Sequence, residues 1–336
     1  MILDAALAQS LDRGLAAIRR GDLLGVPTET VYGLAADADN PAAVARIFAA
    51  KGRPADHPLI VHVADPAALE HFACAVPEFA RALMRALWPG PLTLILWRRE
   101  GVAMDAAGGQ NSIGLRCPSH PVARRLLQAC AGHGILGLAA PSANHFGRVS
   151  PTTARHVEDE FGPGLLILDG GACELGIEST IVDCTRAAPV LLRPGTLSRA
   201  EIEAACAVRV LLPAELQPAA APAPRASGTL DSHYAPKAMV RLMDGRALKV
   251  ALDVLGGELD ASDALIAVYA RRELRPRSRR VLFRRMPDDA RATAQQLFAV
   301  LRDFDAQGAR LIWIETPPAD PEWLGVRDRL ERASTR

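Results

Sequence analysis

Residues 213–231 read PAELQPAAAPAPRASGTLD, and they divide the chain. Pro213, Pro218, Pro222 and Pro224 sit among alanines with almost no large apolar side chain, so the stretch cannot build a core and behaves as a semi-extended linker. On its N-terminal side, short apolar runs bounded by Gly and Pro alternate with a few helical patterns: Leu23 to Val26, Leu59 to Val63, Leu92 to Trp97, Ile113 to Arg116, Ile135 to Ala139, Leu165 to Leu168, Ser179 to Val182 and Val190 to Arg193. This predicts one large α/β domain with a mixed sheet over residues 1–212. On the other side, strand-like Val240 to Met243, Leu265 to Tyr269, Arg280 to Phe283 and Arg310 to Glu315 surround a helix opened by Pro287-Asp288-Asp289, with Leu297, Leu301 and Phe304 on one face. That alternation predicts a smaller parallel βα domain over residues 238–336, of Rossmann or flavodoxin type, with residues 213–237 as the linker.

Composition narrows the function. The chain has 336 residues, 49% of them hydrophobic, and 39 basic against 38 acidic side chains, which excludes a disordered protein and a generic basic binder. A formal net charge of +1 gives no overall field, so any polyanion must be held by a local patch. No apolar run approaches the ~18 residues that span a bilayer, so no membrane contact is expected. Leu3, Leu7, Leu11, Leu15 and Ile18 read as one amphipathic helix and not as a leader, giving a cytoplasmic expectation. The six cysteines lack any C-x-x-C pair, so they are expected to be buried thiols, with no metal site.

The common phosphate motifs are absent. Only Lys51, Lys237 and Lys249 are lysines, and none precedes Ser or Thr as a P-loop requires. No G-x-G-x-x-G follows a strand, and no H-E-x-x-H or G-x-S-x-G occurs. Three polar segments interrupt the first domain instead. Pro27-Thr28-Glu29-Thr30-Val31-Tyr32-Gly33-Leu34 follows a strand and offers two hydroxyls and a carboxylate, suited either to a helix N-cap or to a small polar ligand. Lys51-Gly52-Arg53-Pro54, followed by His57-Pro58, ends a helix over Pro41 to Ala50; its two cations suit the helix dipole or, projecting from a proline-stiffened loop, a triphosphate. Pro141-Ser142-Ala143-Asn144 and Gly147 to Thr152 combine small residues with hydroxyl and amide groups that can bond a ribose, base edge or phosphate.

Together these segments, with Pro89-Gly90-Pro91-Leu92-Thr93, Ile113-Gly114-Leu115-Arg116-x-Pro118, Glu178-Ser179-Thr180-Ile181-Val182-Asp183 and Leu192-Arg193-Pro194-Gly195, resemble the YrdC-type threonylcarbamoyl-AMP synthases. The likeness covers about residues 10 to 200, and His233-Tyr234-Ala235-Pro236 points to the long form with an additional C-terminal domain. The resemblance implies a twisted mixed-sheet YrdC-like domain that joins L-threonine, bicarbonate or CO2 and ATP into threonylcarbamoyl-AMP, releasing pyrophosphate. A downstream transferase then modifies tRNA beside the anticodon, with weak tRNA contact a further implication. By position it assigns ATP to Lys51, Arg53, His57, Ser112, Ser142, Asn144, Ser150 and Arg193, with His233 and Tyr234 closing over the site from the linker. Lys51 and Arg53 take the catalytic roles. It assigns L-threonine to Thr30, His62, Arg116, Ala140 and Ser179, and Mg²⁺ arrives with ATP.

Two positions depart from that pattern. His57 stands where the family usually has Asn, and Ala226-Ser227-Gly228-Thr229-Leu230-Asp231 replaces the usual Ser-Pro-Gly-Met stretch, leaving the glycine and the His-Tyr end. The competing readings are carbamoyl-adenylate chemistry for another acceptor, weakened by the missing C-x-x-C pairs, and a non-catalytic RNA-binding module, weakened by the low net charge.

Overall fold

The computed structural model describes residues 1–216, 224–228, 233–255, 264–274, 276 and 278–335. The linker positions 217–223 and 229–232, Thr229, Leu230 and Asp231 among them, lie outside the described residues. The chain forms two compact units: Met1–Phe146 with Ser150–Thr229, and Gly147–Val149 with Leu230–Arg336.

The first unit runs β1 (Ile2–Asp4), α1 (Ala8–Arg19), β2 (Leu24–Val26), β3 (Gly33–Asp37), α2 (Pro41–Lys51), β4 (Ile60–Val63), α3 (Leu69–Phe72), β5 (Ala73–Cys74), α4 (Glu78–Leu87) and β6 (Leu92–Arg98). It continues with β7 (Ser112–Arg116), α5 (Pro121–Ala131), β8 (Gly137–Ala139), α6 (Ala154–Phe161), β9 (Leu166–Asp169), β10 (Thr180–Asp183), β11 (Val190–Arg193) and α7 (Arg199–Cys206). One mixed sheet orders these strands β1-β9-β2-β3-β8-β4-β7-β6-β10-β11, with β5 on β6. Side chains alternate across it, so Leu34 and Ala36 join the cluster of Ile47, Leu83 and Ile202, while Ala35 joins that of Ile18, Leu24 and Leu126.

Two readings of the sequence change. Ile2, Leu3 and Asp4 do not begin the N-terminal helix; they pair in parallel with Ile167, Leu168 and Asp169, and the helix starts at Ala8. Sheet pairing wins over the apolar period because β9 would otherwise present an open edge on that side. Gly33–Asp37, of which only Gly33 and Leu34 were read, as the end of a polar segment, is a buried strand between β2 and β8. Its Gly and Ala residues carry little intrinsic strand signal.

The second unit contains β12 (Met239–Met243), α8 (Gly245–Leu255), β13 (Ile266–Ala270), β14 (Val281–Arg285), α9 (Ala290–Ala306), β15 (Leu311–Glu315) and α10 (Leu324–Ser334). Its sheet, ordered β12-β15-β13-β14, is parallel throughout. Asp289 caps α9 by accepting from Ala292 N at 2.7 Å, and Leu297, Phe298, Leu301 and Phe304 are buried.

Candidate functional site

The turn between β2 and β3 is not a helix cap. Thr28 Oγ1 accepts from the amides of Thr30 and Val31 and donates to Val31 O at 2.6 Å, a side-chain-closed turn that leads straight into β3. Glu29 and Thr30 are thereby held inside the protein, 2% and 0% exposed. Arg116, the last residue of β7, meets both: its Nη1 donates to Thr30 Oγ1 at 2.8 Å and its Nη2 lies 2.7 Å from Glu29 Oε1. Its Nε donates to Gly90 O at 3.3 Å. Burial, the largest single influence, works to raise the Glu29 carboxyl, but the Arg116 charge and side-chain contact together with the amides of Glu29 and Ser119 hold it below the usual carboxylate range. His62 is paired with Arg116 across β4 and β7. Burial, joined by the Arg116 charge and opposed by Glu29, pushes the His62 imidazole down to about 3, so it is neutral. Ala140 adds a backbone position here, its amide donating to Ile60 O at 3.0 Å.

Arg193, the last residue of β11, is organised differently. Its Nε and Nη2 donate to Ser179 O at 3.0 and 2.9 Å, its Nη2 also to Ser179 Oγ at 3.1 Å, and its Nη1 to Ser227 O at 2.8 Å. Ser179 Oγ shares a 2.8 Å hydrogen bond with Thr93. Two residues beyond Arg193, a Cβ on Gly195 would stand 2.5 Å from Thr180 N, so the Arg-Pro-Gly turn can pass that close only with glycine. Arg53 donates through Nη2 to Pro58 O at 2.9 Å and Ser227 Oγ at 3.4 Å, and through Nε to His57 O at 3.3 Å. Its guanidinium lies 5.6 Å from the Phe146 ring centre, against which His57 also packs edge-on at 5.4 Å. Burial, then the Arg53 charge, lowers the His57 imidazole.

Lys51 overturns the picture of two projecting cations. Gly52, at φ +61°, ends α2 in the left-handed conformation, and the Lys51 side chain turns inward, 2% exposed, to donate to the carbonyls of Ser142 and Asn144. Burial, then the Arg53 charge, pulls its ammonium well below the usual lysine value, against Glu160 and Glu178. Lys51 thus holds the Ser142-Ala143-Asn144 turn, which Gly33 also bridges at Ser142. Arg53 is likewise buried and not projecting. Ser150 Oγ donates to Glu178 Oε1, and Ser112 begins β7 opposite Trp97.

Part of the linker belongs to this unit. Arg225 N donates to Gln110 Oε1 at 2.9 Å, Gln110 Nε2 returns a bond to Arg225 O at 3.2 Å, and Arg225 Nη1 pairs with Asp56 Oδ2 at 2.6 Å. Beneath Arg225 to Ser227 lies a cavity of about 10 Å³, lined by Ile60, Thr93, Gln110, Ser112 and Gly114, room for roughly one water. His233 and Tyr234 belong to the second unit, where Tyr234, at φ +61°, stacks on Phe298 at 5.5 Å. Among the described residues no cluster of three or more His, Cys, Asp or Glu could hold a metal, and no helix is long and apolar enough to cross a membrane. Five cysteines are buried, but Cys74 is exposed.

Sequence reasoning read Glu29 only as a carboxylate suited to a helix cap or a small polar ligand, and assigned no role to Glu178, Thr93 or Gln110. Glu29 and Glu178 stand inside the motifs quoted above, so the signal was a carboxylate embedded among ligand-type residues.

Comparison with known proteins covers most of the chain. The Sua5/YciO/YrdC family model, described as telomere recombination, matches residues 16–195, and the threonylcarbamoyl-AMP synthase C-terminal domain model matches residues 197–335. The chain is 39% identical to the threonylcarbamoyl-AMP synthase of Pyrococcus abyssi, covering 94% of this chain and 92% of the relative. It is 34% identical to that of Bacillus subtilis, covering 95% and 91%. The crystal structure of P. abyssi Sua5 complexed with L-threonine superposes with a TM-score of 0.84 at 35% identity, covering 96% of this chain and 94% of that one.

Proposed function

Because the chain belongs to the Sua5/YciO/YrdC family of threonylcarbamoyl-AMP synthases, we propose that it makes threonylcarbamoyl-AMP and pyrophosphate from L-threonine, ATP and bicarbonate or CO2, for modification of tRNA. The observation that carries this reading is the buried Arg116 fork, closed by Thr30 and Glu29 and neighboured by neutral His62. A planar guanidinium fixes the direction as well as the distance of an amino-acid carboxylate. Thr30, His62 and Ser179 supply groups for the hydroxyl and Ala140 a backbone position.

Arg53 and Arg193 both hold Ser227, and a triphosphate's oxygens would take over those donors. Lys51 shapes the turn whose Ser142 and Asn144, with Ser112 and Ser150, would face the nucleotide. Mg²⁺ travels with the triphosphate, since it keeps its waters and needs few protein ligands. The threonine amine, in its unprotonated form, adds to CO2 with release of a proton, or to bicarbonate with loss of water, to give a carbamate whose oxygen attacks the α-phosphorus in line with departing pyrophosphate. Such a transfer depends on positioning and charge neutralisation, which is why no nucleophile–base triad is needed. His233 and Tyr234 would close over the mixed anhydride and exclude water, His57 would flank the nucleotide, and the product would pass to a transferase acting on tRNA.

The test is direct: the pure protein, incubated with ATP, Mg²⁺, bicarbonate and threonine, should release pyrophosphate only when threonine is present, with the adenylate visible by mass spectrometry. Pyrophosphate release independent of threonine would reject the reading.

A further inference from the structure

Glu29 is a buried carboxylate on the Arg116 side of this site, and the substrate roles above leave it unused. It is 2% exposed; Oε1 sits 2.7 Å from Arg116 Nη2 and the amides of Glu29 and Ser119 help to keep the carboxylate charged, but none of these contacts is a well-aligned hydrogen bond to either oxygen. Arg116 Nη2 also makes no aligned hydrogen bond. The two groups therefore balance in charge without satisfying one another in geometry, which is costly for buried ions unless something else completes the pair. His62 beside them is neutral and alters neither the charge count nor the balance.

We propose that Glu29 is a specificity-determining residue that selects substrates carrying a free α-ammonium: the amino acid inserts as a zwitterion, its carboxylate on Arg116 and its ammonium on Glu29. The inference rests on the threonine reading above. One ion pair becomes two, and every buried charge keeps a partner. A ligand with a carboxylate alone would set two buried anions against one guanidinium, leaving one negative charge uncompensated. Arg116 serves carboxylates in general; Glu29 is what makes the pocket an amino-acid pocket. The turn closed by Thr28 sets its position, since Thr28 Oγ1 binds the amides immediately after Glu29 and the Glu29 carbonyl accepts from Leu175 N at 2.8 Å.

Calorimetric titration of the full chain tests this with L-threonine and its des-amino analogue, (R)-3-hydroxybutyrate. The wild type should prefer threonine by about 30-fold or more, the loss typical when one partner of a buried charge pair is removed. Glu29→Gln should lose a similar factor for threonine and lose nothing for the analogue. Equal weakening of both ligands would mean that Glu29 merely props Arg116, and would overturn the proposal. Should Glu29→Gln fail to fold by circular dichroism, the wild-type comparison decides alone, since equal affinity for the two ligands overturns it without a variant. A wild type that binds threonine without discrimination rejects the role of Glu29 only; one that binds neither ligand rejects the threonine reading as well.

Discussion

Arg116 and Arg193 are both buried, and both end a strand of the same sheet, yet different partners hold them. Arg116 faces a carboxylate and a hydroxyl from the turn at residues 28–31, whereas Arg193 donates to the carbonyls of Ser179 and Ser227. A carboxylate cancels the charge of its guanidinium; a carbonyl dipole orients the guanidinium without cancelling it. The first arrangement suits a small ligand that carries both signs. The second, repeated by Arg53 on the carbonyls of His57 and Pro58, presents ordered guanidinium N–H donors of the kind that bind phosphate oxygens. The sheet thus holds its buried guanidinium groups in two different environments, and the proposed function assigns one to each substrate.

The largest expected effect breaks the first environment. A pocket built to bond a hydroxyl discriminates against its absence by about 10⁴–10⁵, so valine should fall that far below threonine in kcat/KM, while serine, missing one methyl, should fall only about 10–200-fold. Valine outperforming serine would show that shape and not the hydroxyl is read, and would withdraw Thr30, Ser179 and His62 from that role. Next, Arg53→Ala and Arg193→Ala should each lower turnover by about 10²–10³, the usual loss for one preorganised electrostatic donor, with the fold retained by circular dichroism. Near-normal turnover in both would remove the second environment from the chemistry.

Lys51 sharpens the contrast, because its ammonium is spent on two backbone carbonyls inside the protein. Lys51→Met should destabilise the chain by about 1–3 kcal/mol through those carbonyls, read as a lower Tm, in addition to any loss of turnover. An unchanged Tm would show that the turn at Ser142 stands without it.

A further effect is on acid stability. His62 in the unfolded chain takes up a proton near 6.5, but in the folded chain only near about 3. Between those values the unfolded state binds more protons, so this contribution is full above about 6.5 and is lost as pH falls toward 3. His62→Gln should flatten the fall of Tm across that window, and an identical slope would refute the burial of a neutral imidazole beside Arg116.

Most of the strands were legible because each apolar run is short; Val190–Arg193 is closed by Pro189 and Pro194, and Thr180–Val182 is marked by three successive β-branched residues. The strand Gly33–Asp37 was not, because alanines and glycine carry no pattern of their own and their placement follows from the neighbours on both sides. Motif order brought Arg116, Thr30 and His62 to one site. What sequence could not give was direction: Lys51 ends a helix in either case, and only packing decides that it turns inward. Glu29 was visible as a carboxylate in a ligand-type motif, but its partner lies 87 positions away on β7.

The two-environment account meets its most direct test in a pair of titrations without turnover. Arg116→Ala should lose threonine binding while keeping its affinity for ATP·Mg²⁺, and Arg53→Ala should lose ATP·Mg²⁺ while still binding threonine. Loss of both ligands in both folded variants would contradict the separation of the site into an ion-paired half and a carbonyl-held half.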